Sequence, residues 1–169
     1  MTLYHGTNID IQAIDLALCR PYKDFGKGFY TTELMEQAKK MAKRVARIYG
    51  GTPIVNVYEI SDDFLKNQEL NIIDFGGKLS EKWAVFVMNN RNRYFEDFAD
   101  KNCNFDCKYD IVSGPIANDD MAVLFRQYQN HMISLDVLIE GMTYKKMTSQ
   151  YSFHTERAVK LLKKAGALS

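Results

Sequence analysis

Three short stretches carry residue types that could act on a flat, charged ligand. The first is Tyr4-His5-Gly6-Thr7, inside a run of strand formers from Thr2 to Thr7. A histidine can donate or accept a hydrogen bond near neutral pH. The adjacent glycine lets a planar group lie against the backbone and use its N–H and C=O. The second stretch is Asp24-Phe25-Gly26-Lys27-Gly28-Phe29-Tyr30-Thr31-Thr32. Its glycines predict a turn, and its aromatic pair enters a predicted strand and then a helix. It is not the dinucleotide-binding fingerprint, which needs a third glycine and a strand before the motif. The third stretch, Ser149-Gln150-Tyr151-Ser152-Phe153-His154-Thr155, has the pattern of an amphipathic strand. Taken singly, each has an ordinary reading: a hydrogen-bonded histidine, a tight turn, a plain strand.

Other candidates are weaker. Cys103 and Cys107 are separated by three residues, but no Cys-His cluster completes a four-ligand zinc site, so no metal is expected. Asp110 to Asp119 predicts a strand running into a capped helix N-terminus. Lys39, Lys40, Lys43, Arg44 and Arg47 share a helix and read first as a solvated face, although they could guide an acidic or nucleic-acid target. No interleaving of aromatic and basic residues reads as a base-stacking platform.

These stretches need a scaffold, and the chain is long enough to supply one. Its 169 residues suit a single domain spanning 1–169, and 46% hydrophobic content allows a core without staples. The balance of 22 basic and 21 acidic side chains argues against bulk attraction to nucleic acid or anionic membranes. Three cysteines, an odd number, suit a reducing compartment better than a disulfide framework. With no signal peptide and no apolar run of about 20 residues, a soluble cytoplasmic protein is expected.

The elements follow from periodicity. Ile9 to Phe25 predicts a short helix and a loop. Leu34, Ala38, Met41, Ala42, Val45 and Tyr49 predict the clearest helix, capped by Thr32 and ended by Gly50-Gly51. Strands are expected over Pro53 to Ile60, Glu69 to Phe75, Tyr109 to Ile116 and Ser149 to His154. Ser80 caps a helix with Trp83, Phe86, Val87 and Asn90. Asp119 and Asp120 start another, and Leu135 to Gly141 form a short one. Thr155 caps a last helix bearing Ala158, Leu161, Leu162 and Ala165. Strands and helices intersperse without regular alternation, so the class is α+β.

Taken together in order and spacing, the YHGT, DFGKGFYTT and QYSFHT stretches, with DIVSGPIAND between them, resemble the ADP-ribosyltransferases of the diphtheria-toxin and poly(ADP-ribose) polymerase type, and more closely a group of small bacterial proteins of that fold. The resemblance runs over nearly the whole chain. It implies an ADP-ribosyltransferase fold, a split mixed/antiparallel β-sheet core flanked by helices, with NAD⁺ as co-substrate. His5 would bond the nicotinamide-side ribose, Gly6 the carboxamide through its backbone, and Thr7 would support the ribose contact. Tyr30 would stack on the nicotinamide, beside the Gly28 turn, and Arg20 and Lys27 would meet the pyrophosphate. His5, Tyr30 and Gln150 would form the catalytic set. Breaking the nicotinamide–ribose bond builds up positive charge on the sugar, as in glycoside hydrolysis.

Two positions depart from that family. Gln150 stands where it has a Glu, and an amide brings no charge to the developing cation. That loss is worth about 100-fold in rate, which leaves slow mono-transfer, a carboxylate from elsewhere such as Glu156 or Glu140, or lost catalysis. Met41, eleven residues after Tyr30, stands where a second aromatic would complete the ring slot. It reads either as a looser wall of that slot or as a core residue. The expectation is therefore an NAD⁺-dependent mono-ADP-ribosyltransferase acting on a protein or nucleic-acid acceptor. The alternatives are an inactive NAD⁺- or protein-binding module and an RNA 2′-phosphotransferase. The resemblance also implies a toxin or defence component with a neutralising antitoxin protein as partner.

Overall fold

The computed structural model describes residues 1–117, 119–143 and 148–169. Two sheets form the centre. One is antiparallel, in the order β1 (Thr2–Thr7), β3 (Ile54–Glu59), β7 (Lys163–Leu168). The other is mixed, in the order β2 (Phe29–Thr31), β6 (Ser149–Phe153), β5 (Ile111–Pro115), β4 (Ile72–Asp74), with β4 and β5 parallel. The helices are α1 (Met35–Tyr49), α2 (Glu81–Arg91), α3 (Asp119–Gln129), α4 (Leu135–Thr143) and the single turn α5 (Glu156–Val159). This is an α+β fold with a split antiparallel/mixed sheet flanked by helices.

Among the described residues, one backbone bridge joins the two sheets. Tyr4 and Thr32 exchange N–H···O bonds of 2.8 and 3.0 Å. Between the sheets lies an apolar layer of Leu3, Phe29, Tyr58, Phe64, Phe153 and the α5 residues Ala158 and Val159. On the opposite face of the second sheet a larger core gathers Phe25, Trp83, Phe86, Val112, Met121 and Leu138 under α2, α3 and α4. Side chains alternate between these layers because strand neighbours point to opposite faces.

Helix α1 buries alanines. Ala38, Ala42 and Ala46 form its inner stripe, while Leu34, Met41 and Tyr49 are about half exposed. Small residues let the helix backbone come down onto β1: a Cβ on Gly6 would lie 1.9 Å from the Ala38 carbonyl oxygen. The expected stripe through Met41 is corrected to this alanine stripe, and Met41 is not a core residue. Thr32 caps differently from expectation, since the helix N-cap is Leu34 and the Thr32 hydroxyl accepts from the Leu34 N–H at 3.2 Å.

Three further expectations change. The segment after Thr155 is one helical turn, capped as expected by the Thr155 hydroxyl, and then the strand β7. The free edge of β3 offers a row of unpaired N–H and C=O groups, and pairing with it outweighs the local helical pattern. Gly141 lies inside α4 and does not end it. Ile9 to Phe25 holds only a 3-10 turn at Leu16–Leu18; its start is fixed instead by buried Asn56, which donates to the Ile9 carbonyl at 2.9 Å and accepts from the Ile11 N–H at 2.8 Å.

Candidate functional site

The junction of the two sheets is where His5, Gly6 and Tyr30 meet. If the β1–β2 ladder continued past Tyr4 and Thr32, the next pair would be Gly6 opposite Tyr30. It does not continue. The His5 imidazole enters between the strands, and its Nδ1 lies 2.7 Å from the Tyr30 carbonyl oxygen. That geometry puts the proton on Nδ1, which donates. His5 also stacks on Phe29, with ring centroids 4.4 Å apart. Burial lowers the His5 pKa, and the bond to Tyr30 only partly restores it. The ring is therefore neutral at pH 7, with Nε2 a lone-pair acceptor.

The consequence falls on Gly6. Residues of an antiparallel strand direct their N–H and C=O groups alternately to the two edges. Tyr4 spends its pair on Thr32, so Gly6 presents its own pair to the same edge, where no bond to β2 forms. The missing side chain serves the approach of α1 on one face, and the splayed backbone edge is a donor–acceptor pair suited to an amide.

Tyr30 and Gln150 gather on the other face of the second sheet. Tyr30 pairs with Ser152 across the β2–β6 ladder, which sets Gln150, Ser152 and His154 on its side. The Tyr30 hydroxyl accepts from the Phe25 N–H at 2.9 Å and donates to the Gly26 carbonyl at 2.8 Å. It thereby fastens the turn that contains Gly28. Burial and the Asp24 carboxylate hold the phenol well above its usual pKa, so it stays protonated. The structure thus brings Tyr30 and Gln150 to one face and joins His5 to them only through the Tyr30 backbone.

Gln150 does not stand alone. Its side-chain N–H₂ donates to Asp24 at 2.7 Å, and both residues are buried. The same carboxylate accepts from the Arg91 Nε at 2.8 Å and from the Ala117 N–H at 3.0 Å. Arg91 also donates to the Ala117 carbonyl at 2.7 Å. The carboxylate at Gln150 is therefore Asp24. Neither expected alternative fills that position: Glu156 borders a separate depression with Tyr58 and Lys160, and Glu140 is an exposed residue of α4.

His154 closes the back of the site. Its Nδ1 lies 2.7 Å from the Lys27 carbonyl oxygen and its Nε2 lies 2.8 Å from the Ser152 hydroxyl. Burial lowers its pKa to about 4, so the ring is neutral. Gly28 is required beneath it, since a Cβ there would come within 2.6 Å of the His154 Nδ1.

The remaining expected ligand residues are more dispersed. Thr7 is half-buried at the end of β1, next to Asn8, which donates to the Gly50 carbonyl at 2.9 Å. The exposed Arg20 guanidinium lies over the Tyr49 ring, 5.0 Å from its centroid, near the C-terminal end of α1. Lys27 is half-buried at the turn, and Met41 is exposed on α1. Among the described residues, no group of three or more His, Cys, Asp or Glu is assembled to hold a metal ion, and no helix is long and apolar enough to cross a membrane.

A family model described as a protein of unknown function (DUF3990) matches residues 1–164. The chain belongs to the DUF3990 family. Comparison with curated proteins and with solved structures found no match.

For this family member, sequence reasoning missed Asp24, Arg91 and His154. Asp24 and His154 sit within the very stretches singled out, DFGKGFY and QYSFHT. Strand alternation from Gln150 would have put His154 on the Tyr30 face. No sequence signal connects Arg91 to either stretch.

Proposed function

We propose that this chain is an NAD⁺-dependent mono-ADP-ribosyltransferase. The observation that carries the proposal is the splayed β1–β2 edge, where the His5 side chain takes the Tyr30 carbonyl and leaves the Gly6 N–H and C=O without a bond to β2. A carboxamide needs one acceptor and one donor, and Gly6 offers that complement. When bound, NAD⁺ would supply a ribosyl carbon with a good leaving group. The nicotinamide–ribose bond breaks with its electron pair leaving on nicotinamide, the same carbon bonds to an acceptor nitrogen or oxygen, and the acceptor's proton passes to solvent. Asp24 supports a catalytic reading despite the glutamine at position 150, because it sets a carboxylate, shared with Arg91, against the Gln150 amide. Transfer of a single unit suits this pair better than chain elongation, which depends most on a glutamate at position 150. A toxin or defence role, with a neutralising protein partner, rests on the family resemblance alone.

A second reading has its own support. Asp24 is already satisfied by Arg91, the Ala117 N–H and Gln150, and a saturated carboxylate suits an NAD⁺-binding module without turnover. One experiment separates them. The purified protein and its His5→Ala variant are incubated with NAD⁺ and cell lysate, with nicotinamide release and macromolecule-bound ADP-ribose measured. Release or labelling by the wild type that is lost in the variant supports the transferase. NAD⁺ binding without either supports the module, and absence of NAD⁺ binding rejects both.

A further inference from the structure

Behind Asp24 the surface holds a second depression that the transferase reading does not use. It has a volume of about 430 Å³ and is bordered by the C-terminal end of α2, the residues that follow, and one face of α3. Arg91, Arg93 and Arg126 line it, over an apolar floor that includes Met88 and Phe125, with Tyr94 at the rim. Among the described residues, no carboxylate lines it. Asp24 neutralises Arg91 from below. Among the described residues, Arg93 and Arg126 form no ion pair, and Arg93 instead lies over the Tyr22 ring, 5.3 Å from its centroid. Two exposed guanidiniums therefore face the opening with no carboxylate partner among the described residues. Tyr94 is 89% exposed, so its ring face is open to solvent.

We infer that this depression binds a single-stranded nucleic-acid segment and that the acceptor is a nucleic acid. Guanidinium forks match phosphate oxygens in geometry as well as charge. An exposed tyrosine offers a face on which any base can stack. The near-neutral balance of the whole chain makes this a local patch and not a general attraction for polyanions. The patch is coupled to the candidate site through one side chain, since Arg91 donates to the carboxylate that holds Gln150. This inference rests on the transferase reading for its consequence, but the binding itself does not.

The test uses fluorescein-labelled 12-residue oligonucleotides of mixed sequence, one single-stranded DNA and one RNA, titrated with the full chain in the absence of NAD⁺. At about 50 mM salt, Arg93→Glu/Arg126→Glu should weaken binding at least about 10-fold and reduce the salt slope by about 1.4, the value for two phosphate contacts on a single strand. Tyr94→Ala should weaken it at least about 5-fold. A Lys40→Glu/Arg47→Glu variant on α1 should change it less than about twofold. The DNA and RNA arms show which strand is preferred. No binding to either, equal loss in the α1 variant, or tighter binding of a poly-glutamate peptide than of both oligonucleotides would overturn the site. Oligonucleotide binding as described, combined with NAD⁺-dependent labelling of protein but not of the oligonucleotide, would overturn the acceptor assignment. Oligonucleotide binding with no nicotinamide release would refute the transferase reading and leave the phosphate site standing.

Discussion

Replacing Gln150 by Glu, the residue its resemblance family carries there, should harm this protein. In the structure the Gln150 amide donates to Asp24 at 2.7 Å, and both side chains are buried. A glutamate removes that donor, a hydrogen bond to a charged group worth about 1.5–3 kcal/mol. It also sets two carboxylates in contact, a repulsion of several kcal/mol even at an effective dielectric of about 20, reduced here by Arg91. We expect a loss of about 3 kcal/mol at pH 8. Like charges raise the folded-state pKa of the new carboxyl above its unfolded value. A group raised in this way stabilises below its unfolded pKa and loses that contribution as pH rises through its folded pKa. The penalty should therefore shrink toward pH 5, where one proton shared by the pair restores a donor. Urea unfolding of wild type and Gln150→Glu at pH 5 and pH 8 measures it. Adding Asp24→Asn should recover more than about 1 kcal/mol at pH 8, the signature of a direct contact. A variant as stable as wild type at pH 8, or a loss that does not depend on pH, would refute the Gln150–Asp24 pair.

Other consequences are simpler to check. His154 has its pKa lowered to about 4 by burial. The unfolded chain takes up its proton near pH 6.5 while the fold resists, so up to about 3 kcal/mol of stability is present above that pH and lost as pH falls toward 4. Unfolding free energies of His154→Asn between pH 4 and 7 should show a shallower slope than wild type. Gly6→Ala should cost more than about 3 kcal/mol, since its Cβ would meet the Ala38 carbonyl; a thermal melt close to wild type would contradict the α1–β1 packing. Tyr30→Phe leaves the Phe25 N–H and the Gly26 carbonyl without a partner. It should cost about 1–3 kcal/mol in urea unfolding and speed amide exchange at Phe25.

Much of the scaffold was legible because its signals are local. β1, β2 and β6 carry dense strand formers, α1 ends at Gly50 with φ 81°, and Ser80 caps α2 through the Trp83 N–H. What escaped is what distant contacts decide. β7 has a helical pattern of its own, but it lies along the open edge of β3 and pairs there from Lys163 to Leu168. The inner stripe of α1 could not be ranked by hydrophobicity, because Gly6 selects alanines over the larger Met41 and Tyr49. The candidate site divides in the same way. His5, Gly6, Tyr30 and Gln150 could be singled out from short stretches. Their relation could not: His5 meets Tyr30 through a backbone carbonyl and not side by side. The carboxylate at Gln150 comes from Asp24, on the turn before β2, and is held by Arg91 at the end of α2.

The proposed transferase would receive the carboxamide of NAD⁺ on the Gly6 backbone edge. The most direct measurement is the amide spectrum of protein labelled with ¹⁵N only at glycine, ten residues in all, titrated with NAD⁺ and separately with nicotinamide. The Gly6 cross-peak should move with both ligands, saturably, and His5→Ala should weaken both responses. A Gly6 cross-peak that stays fixed at saturating NAD⁺ would contradict it.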